Sequence, residues 1–268
     1  MPHVRRSFLT VWSLAAIIPL LLSGPTLGDD KKPEKVSRTA EEKEESCWKV
    51  RYKMCDGVER SSDLVFVYPR SLWRRDAAKV VKKLQAGWDV LRKATGIDPV
   101  KKFGQRVVIG FRHPSDEGGK DCVPGWWMER GGKSGFPDER WPFINIPWGY
   151  LKSADQPEEC LTHEMVHAFI EAKPLRDNRK EWVEGMCDFL RLPVFTAVGM
   201  SQVRDERYRR YRSSAWTPGA NAYHDYAGRL IYSCEKEKLS TRKPEDLAKI
   251  AATLWDMDLT EALGSRPR

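Results

Sequence analysis

The chain has 268 residues, 41% of them hydrophobic and 31% charged, and it carries a formal net charge of +8. This length suits one large domain or two closely packed lobes. There is no internal repeat, nucleophile-elbow serine motif, phosphate-binding loop or dinucleotide fingerprint, so those classes of protein are excluded as first hypotheses. A basic chain suits an acidic polymer, surface or substrate as a partner, although the charge also serves solubility alone.

The N-terminus has the pattern of an export signal. Arg5 and Arg6 precede an apolar run from Phe8 to Leu22, which is too short to span a bilayer comfortably and is followed by small residues. We predict a signal peptide over residues 1–28, with an uncleaved signal anchor as the alternative. No other segment is apolar enough to cross a membrane. We therefore expect a secreted, periplasmic or cell-envelope protein with no stable membrane span after signal removal.

The next part of the chain predicts a linker followed by strands and one helix. Residues 29–46 are mostly charged, which indicates a disordered linker. Apolar and basic side chains alternate over residues 47–54, which predicts a half-buried strand. Further elements are predicted as a strand at 63–68, an amphipathic helix from Ala77 to near Gly96, and a buried strand at 105–112.

A long polar stretch precedes a short strand. Residues 114–140 predict a loop, in which Trp126 and Trp127 could stack on a sugar, line a peptide cleft or pack over the sheet. Residues 141–148 include prolines, which are confined to sheet edges, so we predict a short edge strand there.

The strongest chemical signal is the sequence HEMVH, which begins at His163. On a helix, His163 and His167 lie one turn apart on the same face, where two imidazoles can both reach one Zn²⁺. Glu164 is turned to the side of that pair and can serve as a general base. Apolar residues at helical spacing from Leu161 to Ala172 support the helix. Two ordinary surface histidines beside a glutamate are the alternative.

A catalytic zinc site usually needs a third protein ligand. The extended pattern HExxHxxGxxH is excluded, because Ile170 and Lys173 stand at its later positions. Glu184, in the sequence EWVEG on a second predicted helix, is the better candidate. Asp188 follows it by one turn and is placed to accept a hydrogen bond from a ligand histidine. Cys160 is the rival ligand.

These motifs resemble the gluzincin metallopeptidases, in which HExxH is followed by a helix with a glutamate ligand. More narrowly, HEMVHAF, WVEGMCDFLRL and AYHDYAGRLIYSC are similar to the basic secretory protein family, over roughly residues 141–237. The resemblance implies that the strand at 141–148 pairs with an extended peptide, so Asn145 and Trp148 are substrate-binding candidates. It also implies a Tyr or His that stabilises the oxyanion. Tyr223 is preferred, and the spacing leaves His224 open.

All six cysteines follow the predicted signal, and an even count in an exported chain suggests disulfides. Two cysteines flank a short segment, and two others would lie at the same end of the two site helices if those helices meet antiparallel. The last two cysteines are then left to pair with each other. The predicted pairs are Cys47–Cys55, Cys160–Cys187 and Cys122–Cys234.

The C-terminal part predicts helices. Residues 203–212 interleave arginines with tyrosines, which can bind nucleic acid, but export and the single short run favour a solvated helix face. Two later helices are predicted at 222–234 and from Pro244 to Trp255.

Strands and one helix precede a run of helices. With the resemblance, this order predicts an α+β fold over 47–268: a zincin-like lobe at 47–173, with a small mixed sheet and the active-site helix, and a mostly helical lobe at 174–268. The expected function is an exported zinc-dependent endopeptidase that hydrolyses a peptide or protein substrate, with Zn²⁺ held by His163, His167 and Glu184. The alternative is a zinc-stabilised module that binds a cell-surface polysaccharide or other anionic polymer without peptidase activity. No nucleic-acid partner is expected.

Overall fold

A computed structural model describes residues 39–117, 125–129, 141–151, 157–241 and 243–265. The predicted signal peptide, residues 29–38 of the predicted linker, and Cys122 lie outside the described residues. The described residues belong to one compact unit.

Five described strands form one mixed sheet in the order β1-β2-β3-β5-β4. The strands β2, β3 and β5 run parallel, whereas β1 and β4 are antiparallel to their single neighbours at the two edges. The sequences LVFVY and VVIGFR are nearly continuous apolar runs, as expected for strands that are buried on both faces. The strands are β1 Gly57–Arg60, β2 Leu64–Tyr68, β3 Val107–Arg112, β4 Gly125–Glu129 and β5 Trp141–Pro147.

The prediction that residues 141–148 form an edge strand is wrong, because β5 lies between β3 and β4. Buried and exposed side chains do not alternate along this strand, because nearly all of its side chains are buried. Proline is tolerated here because Pro142 and Pro147 lie close to the two ends of the strand, where the loss of a backbone N–H costs least. The edge strand on this side of the sheet is β4, from within the stretch predicted as a loop.

The N-terminal prediction is also wrong, because residues 40–51 form a helix and not a linker followed by a strand. Thr39 and Glu42 form a capping box that begins the helix. The carboxylate of Glu44 is buried and accepts hydrogen bonds from Nε of Arg60 at 2.9 Å and Nε of Arg106 at 2.8 Å. These ion pairs hold the charged helix against the sheet.

The helices predicted from apolar periodicity are confirmed. Asp76 caps the N-terminus of the long helix, and Gly96 ends it with a φ of 67°, a conformation that favours glycine. No described helix is long and apolar enough to cross a membrane. The α-helices are α1 Ala40–Arg51, α2 Ala77–Thr95, α3 Pro99–Phe103, α4 Pro157–Ala172, α5 Lys180–Ala197, α6 Ser201–Ser214, α7 Ala222–Lys236, α8 Pro244–Asp256 and α9 Leu259–Leu263. Together with the mixed sheet they confirm the predicted α+β class.

Close helix packing positions the later helices around α4 and α5. A Cβ on Gly185 of α5 would lie 2.6 Å from Cβ of Tyr226 on α7, and a Cβ on Gly228 of α7 would lie 2.2 Å from the Tyr211 carbonyl oxygen on α6. Only glycine allows backbones to approach this closely. The helices α5, α6 and α7 therefore meet without intervening side chains at these points.

Candidate metal centre and adjoining cleft

Three side chains from the neighbouring helices α4 and α5 converge. Nε2 of His163 lies 3.1 Å from Oε2 of Glu184, and Nε2 of His167 lies 3.7 Å from the same oxygen. The two imidazole ring centroids are 5.1 Å apart. Ligand atoms about 2.0–2.1 Å from a tetrahedral Zn²⁺ are about 3.3 Å apart, so these separations fit one ion. We call His163, His167 and Glu184 the metal centre, as the candidate ligands of one metal ion.

Asp188 fixes the orientation of one of these histidines. Its Oδ1 lies 3.0 Å from Nδ1 of His163 and 3.1 Å from Nη1 of Arg191. Burial raises the pKa of Asp188, but the hydrogen bond with His163 and the charge of Arg191 outweigh it and hold the pKa below its usual value. An ionised Asp188 accepts a hydrogen bond from Nδ1–H of His163 and so leaves Nε2 of that ring directed at Glu184.

The carboxylates also control the proton on His163. Burial lowers the pKa of His163, but hydrogen bonds with Asp188 and Glu184 raise it to about 9 overall. Burial likewise raises the pKa of Glu184, and the two imidazoles reverse this, so that its pKa lies well below the usual value. A proton and a metal ion therefore compete for the same Nε2 lone pair.

Glu164 is held by the backbone of the edge strand. Its Oε2 accepts a hydrogen bond from the Trp126 N–H of β4 at 2.8 Å, and its side chain is buried. The Trp126 ring packs against Phe103, with centroids 5.9 Å apart, which favours the packing interpretation of this residue. The side chain of Trp127 lies outside the described residues. The contact from β4 could not be predicted from sequence, because it uses a main-chain donor.

Cys187 is a second candidate for the third ligand. Its Sγ and one ring nitrogen from each of His163 and His167 lie within 4.8 Å of one another. The thiol is fully buried, and burial followed by the charges of Glu184 and two other carboxylates raises its pKa well above the usual value. Since Oε2 of Glu184 approaches Nε2 of both histidines and its side chain is partly exposed, Glu184 is our candidate for the third ligand, with Cys187 as the alternative.

The disulfide predictions are wrong for the described cysteines, among which no disulfide is formed. Cys160 donates instead to Oη of Tyr150 at 3.2 Å, and Cys187 faces the metal centre. The sulfur of Cys55 contacts the Phe111 carbonyl oxygen at 3.5 Å. Cys234 is a buried thiol, with a pKa raised by burial to about 12.

A cleft of about 270 Å³ adjoins the metal centre at Asp188. We call it the arginine cleft, because Arg191 of α5 and Arg207 of α6 line it opposite Glu159 of α4. The predicted solvated face at residues 203–212 is thus only partly solvated, since Tyr211 is buried and also lines this cleft. Sequence reasoning missed both α6 residues, although Arg207 and Tyr211 are one helical turn apart.

Of the two candidates for the oxyanion, only His224 reaches the arginine cleft. Its ring centroid lies 5.1 Å from that of Tyr211, and burial lowers its pKa. In the described part of the chain, the backbone N–H of Tyr223 donates to the side chain of Asn221, which caps α7. Tyr150 and Tyr211 also line this cleft, whereas Tyr223 is not among its described lining residues.

The assignment of Asn145 and Trp148 to substrate binding depends on the predicted edge strand at residues 141–148. That basis is wrong, since β4 pairs with β5 and occupies the position where a peptide would add. Asn145 is buried, and its Oδ1 accepts from Nε of Arg51 at 3.1 Å and from Oη of Tyr52 at 3.2 Å. Trp148 packs edge-on against the His113 ring, with centroids 4.8 Å apart. Both residues connect structural elements.

Comparison of the chain with family models, with curated proteins and with solved structures gives no match. The resemblance to gluzincins therefore depends on the motifs and on the geometry of the metal centre.

Proposed function

We propose that the protein is an exported zinc-dependent endopeptidase. The observation that carries the proposal is the approach of Nε2 of His163 and of His167 to Oε2 of Glu184, at 3.1 and 3.7 Å, beside an anchored Glu164. Two separate helices supply these groups, so helical spacing alone does not explain their convergence.

The residues of the metal centre fit Zn²⁺, which is commonly held by imidazole nitrogen and carboxylate oxygen. His163, His167 and Glu184 would hold the ion, and Asp188 would orient His163. Bound there, Zn²⁺ supplies a Lewis acid for the scissile carbonyl and lowers the pKa of a water molecule towards 7.

Glu164 would act as the general base. The hydrogen bond from Trp126 occupies Oε2, whereas Oε1 has no hydrogen-bond partner in the described part of the chain. Oε1 is therefore the oxygen to accept a proton from the attacking water and pass it to the leaving amine. The fixed Oε2 removes rotational freedom from the carboxylate, which keeps Oε1 in one position.

The edge of β4 supports an extended peptide as the substrate. The N–H of Trp126 points away from β5 and is donated to Glu164 on α4, so the free edge of β4 lies beside the proposed general base. A peptide that adds to this edge would be bound through its backbone, with little dependence on its side chains. His224, which lies in the cleft beside Asp188, is the better candidate to stabilise the oxyanion.

The test is cleavage of a mixture of unstructured peptides by the zinc-loaded protein and by Glu164→Gln, with zinc content measured in both. We expect equal zinc and a loss of kcat/KM of about 100- to 10,000-fold in the variant. The matched control is Glu171→Gln, because Glu171 is an exposed residue on the same helix and should leave activity unchanged. No cleavage by zinc-loaded wild type would instead favour the polysaccharide-binding module.

A further inference from the structure

We propose that the arginine cleft binds a carboxylate of the peptide substrate, on the side of the scissile bond that lies towards the N-terminus of α4. This inference deepens the proposed function and rests on it. It concerns residues that the zinc chemistry does not use, above all Arg191, Arg207 and Tyr211.

The cleft contains more hydrogen-bond donors than acceptors. Each guanidinium carries five N–H donors. Arg207 places Nε 2.9 Å from Oε1 of Glu159 and also bonds the same oxygen through Nη2. Arg191 contacts Asp188 at 3.1 Å and lies 3.6 Å from that Glu159 oxygen. Most of the N–H groups are therefore not used by these two carboxylates.

One of the remaining donors is buried and unsatisfied, and a second is at most weakly satisfied. Nε of Arg191 has no hydrogen-bond partner among the described residues. Oη of Tyr211 makes at most a long hydrogen bond with Asp188, which adds to the effect of burial in raising the pKa of this phenol. Arg191 is only 8% exposed and Tyr211 is fully buried. A buried donor without an acceptor costs about 1–3 kcal/mol, so these groups favour a ligand that brings acceptors. A carboxylate fits, because it accepts only and matches the planar fork of a guanidinium.

The cleft lining holds two guanidiniums and two carboxylates, and each of these carboxylates is shared between two partners. Asp188 already serves His163, and Glu159 offers both arginines the same oxygen, Oε1. His224 faces the same space, and burial together with Arg210, Arg207 and Arg191 holds its pKa below the usual value, against the opposing charge of Asp188. The arginines thus share one partly exposed carboxylate between them.

The position of the cleft places the carboxylate near the scissile bond. Asp188 forms one wall and also contacts His163 of the metal centre. Cys160, on another wall, is one helical turn before Glu164 on the same face of α4. One turn is about 5.4 Å, which suits the residue next to the bond that is cut. The carboxylate would come from an Asp or Glu side chain or from the free C-terminus of the peptide.

The test compares matched peptides with the zinc-loaded full chain. One set carries Glu beside the scissile bond and an amidated C-terminus, a second carries Gln instead, and a third carries Gln with a free C-terminal carboxylate. We expect kcat/KM for one of the two carboxylate sets to exceed that for the neutral set by roughly tenfold, as for one charged hydrogen-bonded contact. The favoured set identifies the source of the carboxylate. Equal values for all three sets would overturn the inference.

Arg207→Gln should remove this preference, so that the three peptide sets are cleaved with equal kcat/KM. The matched control is Arg209→Gln, because Arg209 is exposed on the same helix. Tyr211→Phe deletes only the hydroxyl and should reduce the preference without loss of folding. A preference that survives both Arg207→Gln and Tyr211→Phe contradicts the assignment.

Calorimetric binding of the same peptides to zinc-loaded Glu164→Gln separates this inference from the proposed function. Tighter binding of a carboxylate peptide, lost when Arg207→Gln is added, supports the cleft even if wild type cleaves nothing. Cleavage of peptides together with equal binding of all three sets would leave the endopeptidase proposal standing and remove the carboxylate site.

Discussion

The metal centre and the arginine cleft lie at neighbouring turns of the same helix pair, yet they present opposite chemistry. At the metal centre, two imidazoles and a carboxylate direct lone pairs at one point, within 3.7 Å of Glu184 Oε2. The arginine cleft is lined by two guanidiniums, which pair with Asp188 and Glu159, and by a phenol. We propose a cation for the first site and an anion for the second.

Asp188 belongs to both sites, since its Oδ1 contacts His163 on one side and Arg191 on the other. A single carboxylate thus orients one ligand histidine and one cleft arginine. We therefore expect changes in one site to reach the other through this residue, and the following predictions test how far the two sites are separable.

The largest effect is expected for Glu184→Gln. An amide is a poor substitute for a ligand carboxylate, so zinc affinity should fall by more than about 100-fold, beyond the range seen for residues outside the ligand set. Competition with a chelating dye measures the affinity. The control is Glu181→Gln, because Glu181 is exposed on the same helix. Wild-type affinity in Glu184→Gln would remove it from the metal centre.

Asp188→Asn should weaken zinc binding by about 10- to 100-fold, because His163 loses the acceptor that orients it. The same variant deprives Arg191 of an ion pair, so it should also alter binding of carboxylate peptides. An effect on zinc alone, with peptide binding unchanged, would show that the two sites are independent at this residue.

The pKa of His163 is raised to about 9. We therefore predict that the stability of the metal-free fold falls with rising pH, whereas the affinity for zinc rises. The raised pKa means that the bound proton stabilises the metal-free fold fully below about pH 6.5. That stability is lost as pH rises through about 9. Zinc affinity should instead increase over the same interval, by up to roughly tenfold per pH unit, because one fewer proton must be displaced.

Thermal melts of chelator-treated protein measure the first effect, with His163→Gln as the variant expected to lack this component. A metal-free Tm that has the same pH dependence in both proteins would show that His163 does not bind the extra proton.

Glu159→Gln should tighten the binding of carboxylate peptides several-fold, since it removes the anion that now pairs with both arginines. Partly exposed ion pairs are worth about 0–1 kcal/mol, which limits the gain to about fivefold. Neutral peptides are the control and should bind as before. Weaker binding of the acidic peptides would mean that Glu159 positions the guanidiniums and does not compete for them.

The smallest effect is expected for Cys187→Ala, with zinc affinity within about threefold of wild type if Glu184 is the third ligand. Substitution with Co²⁺ gives a second measurement, because a thiolate ligand adds a sulfur-to-metal absorption band. A loss of affinity equal to that of Glu184→Gln, or such a band in wild type, would assign the third position to Cys187.

The sequence predicted the metal centre more fully than the arginine cleft. His163 and His167 are related by helical spacing, and Glu184 and Asp188 are related by one turn of the next helix, so local periodicity was sufficient. The cleft brings together side chains from four helices and a 3₁₀ turn. Its assembly depends on how those helices pack, which periodicity does not specify. One weak signal existed, since Arg204, Arg207 and Tyr211 recur at helical spacing on α6.

Two errors in the fold have different physical causes. The capping box of Thr39 and Glu42 was visible in the sequence and would have indicated α1 in place of a linker. The edge position of β4 was not visible, because a strand of five residues in a Gly- and Pro-rich stretch gains its stability from pairing with β5. Alternation over residues 47–54 was misleading because a helix that is anchored by buried ion pairs needs little amphipathic pattern.

The hydrogen bond from Trp126 to Glu164 has a consequence for how this protein tolerates sequence drift. The donor is a main-chain N–H, so every residue type at position 126 except proline can supply it. The orientation of the proposed general base is thus insulated from side-chain replacement in β4. Residues 125–129 can diverge among descendants of this chain while the contact persists, and identity in this segment would be a poor measure of shared mechanism.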